Sequence, residues 1–418
     1  AMVFEVLARP GGSAPPEPCS YAIEKSLASS WKYLDPVTLE IKIHQGVKFH
    51  NKPPVNGREM TADDVVYSLR RVVRLHPRMS PAAPYIASIE AKDRYTVVIS
   101  LREPNGGFTA SVFLGNVYAG GILAQEAGGT KESWGDPYTS WIGTGPFMFQ
   151  QYFTGVKGVF DRNPGYWKPG LPYVDRIEFP IMPDPSTRLA ALRAGRLDAH
   201  TRWGLTGTLV SALKTSSPQV KSIQCPGMSQ VITSWRIDEP PFDDVRVRRA
   251  VSMLLDRKGL AEKVWEGQAT PVALFSSALH PYFLDLEAFP PEVRKYAEYR
   301  PEEAMRLLAE AGYPGGKGLE VTFTHTLATT RIQIEWSEFL IESLAKVGIK
   351  VKPNWMEYSR YALTTLAGDF HGLGTGGLSV PDPYAVFDLF VSTSDPALNK
   401  GRVKDPEPGD LFRGPSLA

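Results

Sequence analysis

The sequence predicts an α/β fold divided among more than one domain, and three observations predict it. Leu39, Ile41 and Ile43 alternate with Glu40, Lys42 and His44, the period of a half-buried strand. A helical pattern follows behind Thr61, with Val65, Leu69 and Val72 or Val73 on one face. Far along the chain, Val321, Phe323 and His325 alternate, 332–347 reads as a helix, and Ile349-Lys350-Val351 opens another strand, which is a βαβ succession. At 418 residues the chain exceeds what one hydrophobic core organises, so two or three domains are expected.

The elements follow in order. Thr61 suits an N-cap, Asp63 and Asp64 complement the helix dipole in the first turn, and Arg70, Arg71 and Arg74 gather toward the C-terminal end. Tyr95–Leu101 reads as a strand that stops at Pro104-Asn105-Gly106-Gly107. A turn at Gly143–Phe147 precedes alternating aromatics through Phe153, and Arg176–Ile181 is another strand. A short helix is expected from Ser186 to Ala194, stopped by Gly195. One longer helix is expected from Asp244 to Trp265, and a compact one from Pro301 to Ala311, with Pro at its start and Gly312 at its end.

Composition removes several functions. The balance of 46 Lys+Arg against 45 Asp+Glu leaves a formal charge of +1, without the basic excess a nucleic-acid surface needs. Charged residues at 22% and apolar ones at 43% fit an ordinary globular chain. The 36 prolines are about twice the usual 5% share, and with no G-x-y period they serve turns and connections. No run of 18 apolar residues is present, and the first ten residues show no signal-peptide pattern. Cys19 and Cys225 make neither a disulfide framework nor a zinc cluster; both are expected to be unpaired, with a single bridge as the minor alternative.

Catalytic and nucleotide motifs are absent or out of context. Gly372-x-Gly374-x-x-Gly377 matches a dinucleotide fingerprint, but Pro381 and Pro383 stand where a helix should open, so a strand is expected there. Gly312 to Lys317 lacks P-loop spacing and reads as a helix stop plus turn. Ser343-x-x-Lys346 lies mid-helix without its partner motifs. The histidines show no metal spacing, and no catalytic residue, metal or cofactor is assigned. What remains is aromatic: Trp203, Trp235, Trp355 and Tyr358. Buried aromatics more often pack a core than face a ligand. Arg202 beside Trp203 suits an anionic or carbonyl ligand, with a solvated surface arginine as the competing reading.

Several segments together resemble the family 5 extracellular solute-binding proteins, the peptide, nickel and oligosaccharide receptors of bacterial ABC importers. They are Leu39–His50 with Thr61–Leu69; Gly143–Phe147 with Arg162–Trp167 and Pro172–Asp175; Ala194–Asp198; Pro240–Ala250 with Asp256-Arg257 and Gly267; and Leu307–Tyr313. Five motifs in order make coincidence negligible. Read physically, Asn163-Pro164-Gly165 is turn chemistry presenting Tyr166 and Trp167 for packing, and Asp243 or Asp244 can cap the following helix.

The resemblance implies a periplasmic-binding-protein-like two-lobe α/β fold (type II, cluster C) with an extra domain, and ligand capture by hinge closure without catalysis. It places the extra domain at 1–138, a first-lobe segment at 139–235, the second lobe at 236–400 and an aberrant or truncated tail at 401–418. The first lobe is expected to be incomplete, and the chain to be a fragment or frameshifted product. The implied partners are a peptide or other small solute and ABC permease subunits, with no nucleic acid, a monomeric state, and a periplasmic or extracytoplasmic location. In peptide-binding members an aspartate four residues before a late proline holds the ligand's α-ammonium. Pro383 in that role puts Ser379 in the aspartate's place, with Asp382 as a nearby substitute. The expected ligand-facing residues are therefore Arg202, Trp203, Trp235, Tyr358, Ser379 and Asp382. The expected ligand is a small neutral or anionic solute such as a modified peptide, opine or glycoside. The alternative is a non-transport binding protein, or a hydrolase- or chaperone-like one, on the same scaffold.

Overall fold

In a computed structural model, the chain is described over residues 2–10, 23–75, 85–105, 108, 121–127, 141–200, 206–223, 225, 229–271, 285–326, 331–365 and 368–379. It divides into two compact units, one within Ala1–Pro183 and one within Asp184–Gly409.

The first unit opens with two short antiparallel strands, β1 (Ala8–Pro10) and β2 (Ile23–Lys25). Next come β3 (Ala28–Asp35), β4 (Thr38–Ile43), helix α1 (Ala62–Leu75), β5 (Ile86–Asp93) and β6 (Thr96–Leu101). The last four strands form an antiparallel sheet in the order β3-β4-β6-β5. Leu39, Ile41 and Ile43 are buried as the alternation predicts, and they share a core with Val65, Leu69 and Val72 of α1. Glu40 is buried too, against expectation, because Lys92 on β5 reaches its carboxylate at 3.1 Å. At the start of α1, Asp64 accepts from the Thr61 amide at 2.9 Å, the returning half of a capping box.

Three further strands, β7 (Phe147–Phe153), β8 (Lys157–Arg162) and β9 (Arg176–Pro180), form a second antiparallel sheet. The N-terminal segment is stitched to its approach: the Gly145 amide donates to the Val3 carbonyl at 2.9 Å, and the Phe147 amide to that of Met2 at 3.0 Å. This explains both glycines of the Gly143–Phe147 motif. A Cβ on Gly143 would collide with the Val3 carbonyl, and one on Gly145 with those of Met2 and Val3. The 163–165 turn also forms as expected. Its Asn163 Oδ1 accepts from Gly165 at 3.0 Å, and the following Tyr166 hydroxyl and Trp167 indole both donate to buried Glu5 at 2.8 Å.

The second unit contains α2 (Pro185–Arg193), α3 (Gly207–Ser216), β10 (Ser229–Trp235), α4 (Val245–Met253), α5 (Arg257–Lys263), α6 (Pro291–Arg294), α7 (Pro301–Glu310), β11 (Glu320–Thr326), α8 (Arg331–Ala345), β12 (Lys350–Met356), α9 (Tyr358–Leu363) and β13 (Leu373–Ser379). Its sheet runs β10-β13-β11-β12. β11 is parallel to both β12 and β13, and β10 is antiparallel to β13. The predicted βαβ succession is β11-α8-β12, packed on one apolar core with Phe242, Val251, Leu308, Phe323, Trp336 and Leu344.

Two expectations change here, and a third holds. The helix expected over 244–265 is two helices. Asp244 caps the first at the Arg246 amide, 2.8 Å away, and Asp256 interrupts the run by capping the second at the Gly259 amide, also 2.8 Å. The periodicity persists across the break because both helices face the same core, which hid it from the pattern. Cys225 is disulfide-bonded, so the expectation of unpaired cysteines fails for it; Cys19 lies outside the described residues. The glycine-rich 372–377 run is strand, as its context indicated. No helix among the described residues is long and apolar enough to cross a membrane.

Candidate functional site

The parallel core of the second unit's sheet ends, at its carboxyl edge, in Thr326 of β11, Met356 of β12 and Ser379 of β13. In open α/β sheets this edge is where ligands bind, because helices cover the faces and the chain leaves the strands there in loops.

Tyr358 stands directly on this edge. It is the first residue of α9, two residues past the end of β12, and it is 49% exposed. It follows Glu357, which lies between strand and helix and caps the helix by accepting from the Ser359 amide at 2.7 Å and the Arg360 amide at 3.3 Å. Those amide bonds hold the Glu357 carboxyl below its usual range. Ser379 closes β13 opposite Ser229 of β10, and so belongs to the same edge by register.

Trp235 does not. It pairs with Leu373 at the other end of β13, six residues and about 20 Å of extended chain from Ser379. There it is half-buried and stacked on Phe242, with ring centroids 5.7 Å apart, beside the second core. Arg202, Trp203 and Asp382 lie outside the described residues.

Beneath the edge is an aromatic layer that pattern reading did not assemble. His325 of β11 is buried, edge-on to Trp355 of β12 at 5.6 Å, and within 6.2 Å of Trp336 on α8 and 6.1 Å of Tyr361 on α9. Its Nδ1 lies 2.9 Å from the Thr326 carbonyl, which can only accept, so Nδ1 carries the proton. Burial pushes the imidazole pKa down and keeps the ring neutral. The alternation of Val321, Phe323 and His325 marks the core side of β11. The two helices that deliver Trp336 and Tyr361 to it leave no trace in that alternation.

The edge therefore offers aromatic faces, hydroxyls and backbone groups, and its carboxylate is engaged in capping. The Ser359 hydroxyl also donates to the Glu357 carboxylate, at 3.3 Å, as part of the same cap. The described residues do not gather three or more His, Cys, Asp or Glu side chains where a metal could sit.

Comparison with known proteins bears on the whole chain. Residues 22–397 match the model of the bacterial extracellular solute-binding proteins, family 5 middle. Heme-binding protein A of Haemophilus influenzae is 30% identical over 362 residues, covering 81% of this chain and 64% of that protein. Di/tripeptide-binding protein 2 of Pseudomonas aeruginosa is 29% identical over 414 residues, covering 92% of this chain and 74% of that one. The solved structure of the oligopeptide-binding protein AppA from Bacillus subtilis, in complex with a nonapeptide, superposes with a TM-score of 0.77 at 25% identity, covering 100% of this chain and 82% of that one. The chain thus spans just under two thirds of the length of the Haemophilus relative.

Proposed function

The chain belongs to the bacterial extracellular solute-binding proteins of family 5, and on that premise we propose that it is the substrate-binding component of an ABC importer. It is a receptor and not an enzyme, captures a small solute outside the cytoplasm, and delivers it to permease subunits in the membrane. The domain division of the proposal follows the family, with an extra domain at 1–138, a first-lobe segment at 139–235 and the second lobe at 236–400.

The observation that carries the ligand reading is the carboxyl edge of the second unit's sheet, where the Glu357 carboxylate is committed to capping α9. Tyr358 and the aromatic layer below it suit stacking against a planar or apolar solute. Ser379 ends the strand where peptide-binding members of the family supply an aspartate. The Glu357 carboxylate is held by two amides of its own helix. With Ser379 in the aspartate's place and Glu357 engaged as a cap, we infer that no carboxylate is dedicated to an α-ammonium, and a buried unpaired ammonium is costly. Arg202 and Trp203 are the proposed contacts on the anionic or carbonyl side of the solute, and Asp382, three residues after Ser379 in sequence, is the proposed substitute for the missing aspartate. Trp235 supports the sheet from its opposite end. The solute class is thus an amino-blocked or modified peptide, an opine or a glycoside.

Calorimetry with unmodified di- to pentapeptides and their N-acetylated forms tests this reading. The expected result is binding of blocked forms in preference to free ones. Tight binding of free peptides that Ser379→Ala leaves unchanged would contradict it.

A further inference from the structure

Among the described residues, 184–223 contributes no side chain to either large core. Helix α3 within it is nevertheless held at its N-terminus from 58 residues further along the chain. Thr206 caps the helix locally, accepting from the Leu209 amide at 3.3 Å. Both the amide and the hydroxyl of Thr208 then donate to the Glu266 carboxylate, the hydroxyl at 2.6 Å. A carboxylate at a helix N-terminus also opposes the positive end of the helix dipole.

Two further features converge on the same contact. Glu266 has φ +52°, in the left-handed region that a glutamate side chain disfavours; Asn56 is the other non-glycine residue there among those described. Such a conformation persists only where its surroundings fix it. Gly207 faces the same turn, and a Cβ there would collide with the Gln268 amide and the Glu266 carboxylate. The turn itself is firmly based. Gly267 bonds to the Ala261 carbonyl at 2.9 Å, and the preceding Val264 and Trp265 belong to the second core.

We propose that Glu266 is a positioning residue: a catch that anchors the N-terminus of α3, the helix that follows Arg202 and Trp203 in sequence, to the second core. The part played by Arg202 and Trp203 rests on the proposed function, whereas the catch stands on the contact alone. Being a non-covalent cap between distant segments, it can open and reform without unfolding either element.

Glu266→Gly and Glu266→Asn test this, since both residues accept φ +52° and remove the long carboxylate without straining the turn. Hydrogen exchange in the unliganded protein should accelerate at least tenfold at the Thr208 and Leu209 amides, with the amides of β11 and α8 unchanged. Glu266→Gln, which keeps one acceptor oxygen, should restore part of that protection. N-acetyl-trialanine and trialanine serve as binding probes, and whichever binds the native protein should dissociate at least threefold faster from the Gly and Asn variants. Unchanged exchange at Thr208 in both variants overturns the catch. So does acceleration spread evenly through the second unit, which would show a general loss of stability. Acceleration confined to the start of α3, with neither peptide bound by the native protein, upholds the catch and removes the ligand role of Arg202 and Trp203.

Discussion

The two units use their carboxylates in opposite ways. In the first, Glu5, Glu40 and Asp64 are buried and brace segments far apart in sequence. Asp64 alone joins Arg58 at 2.6 Å, the Thr61 amide and the Gln125 amide, while Arg58 continues to Glu126 at 2.5 Å. In the second, no carboxylate is buried among the described residues; Asp184, Asp244, Asp256, Glu266 and Glu357 sit at helix starts instead. The first unit is braced by buried carboxylates, and the second is an apolar core whose unburied carboxylates cap helix starts, most of them locally and Glu266 from 58 residues away. The difference teaches where substitution is free: the edge carrying Tyr358 is held by its neighbours' caps, so the exposed Tyr358 side chain can be changed without loss of the fold.

The largest effect should come from cutting a brace. Arg58→Ala leaves the fully buried Asp64 carboxylate without its guanidinium and should destabilise the protein by about 3–5 kcal/mol in urea denaturation. A loss below about 1 kcal/mol would place the first unit's stability elsewhere.

A smaller effect tests the same unit through pH. His50 is buried, donates from Nε2 to the Gly145 carbonyl at 2.9 Å, and has its pKa pushed down to about 4, chiefly by desolvation. The unfolded chain binds this proton below about pH 6.5 and the folded one only near 4. The histidine's contribution is thus complete above pH 6.5 and is lost as pH falls toward 4, by about 3 kcal/mol at 1.4 kcal/mol per pKa unit. Comparing stabilities at pH 7 and 4.5, His50→Gln should show a flatter pH dependence than the native protein.

Gly145→Ala should cost about 1–3 kcal/mol, because its Cβ must displace the Met2 and Val3 carbonyls. Shorter protection of the Phe147 amide in hydrogen exchange would locate the damage at that seam. The smallest stability effect belongs to the second unit: Tyr358→Ala should lie within about 0.5 kcal/mol of the native protein while abolishing solute binding. A large loss of stability there would erase the contrast between the braced first unit and this edge.

This contrast also explains what the sequence disclosed. Gly143, Gly145, Asn163 and Gly165 are legible because backbone approach and turn geometry admit few alternatives, and the same holds for the caps at Asp244 and the stop at Gly312. The break at Asp256 was illegible, since periodicity survives when two successive helices face one core. At the edge, Tyr358 could be named from sequence, but its distance from Trp235 is a matter of register, and strand register is set by pairing with β13. The cluster around His325 needs three elements to meet, which no local pattern encodes.

The most direct test of the central claim, that this edge receives a solute without a free ammonium, is calorimetry on Ser379→Asp. Restoring the carboxylate should raise the affinity for unmodified tripeptides at least tenfold over the native protein and leave N-acetylated tripeptides unimproved. Native protein that already binds the free tripeptides below micromolar Kd, with no gain on substitution, would contradict it.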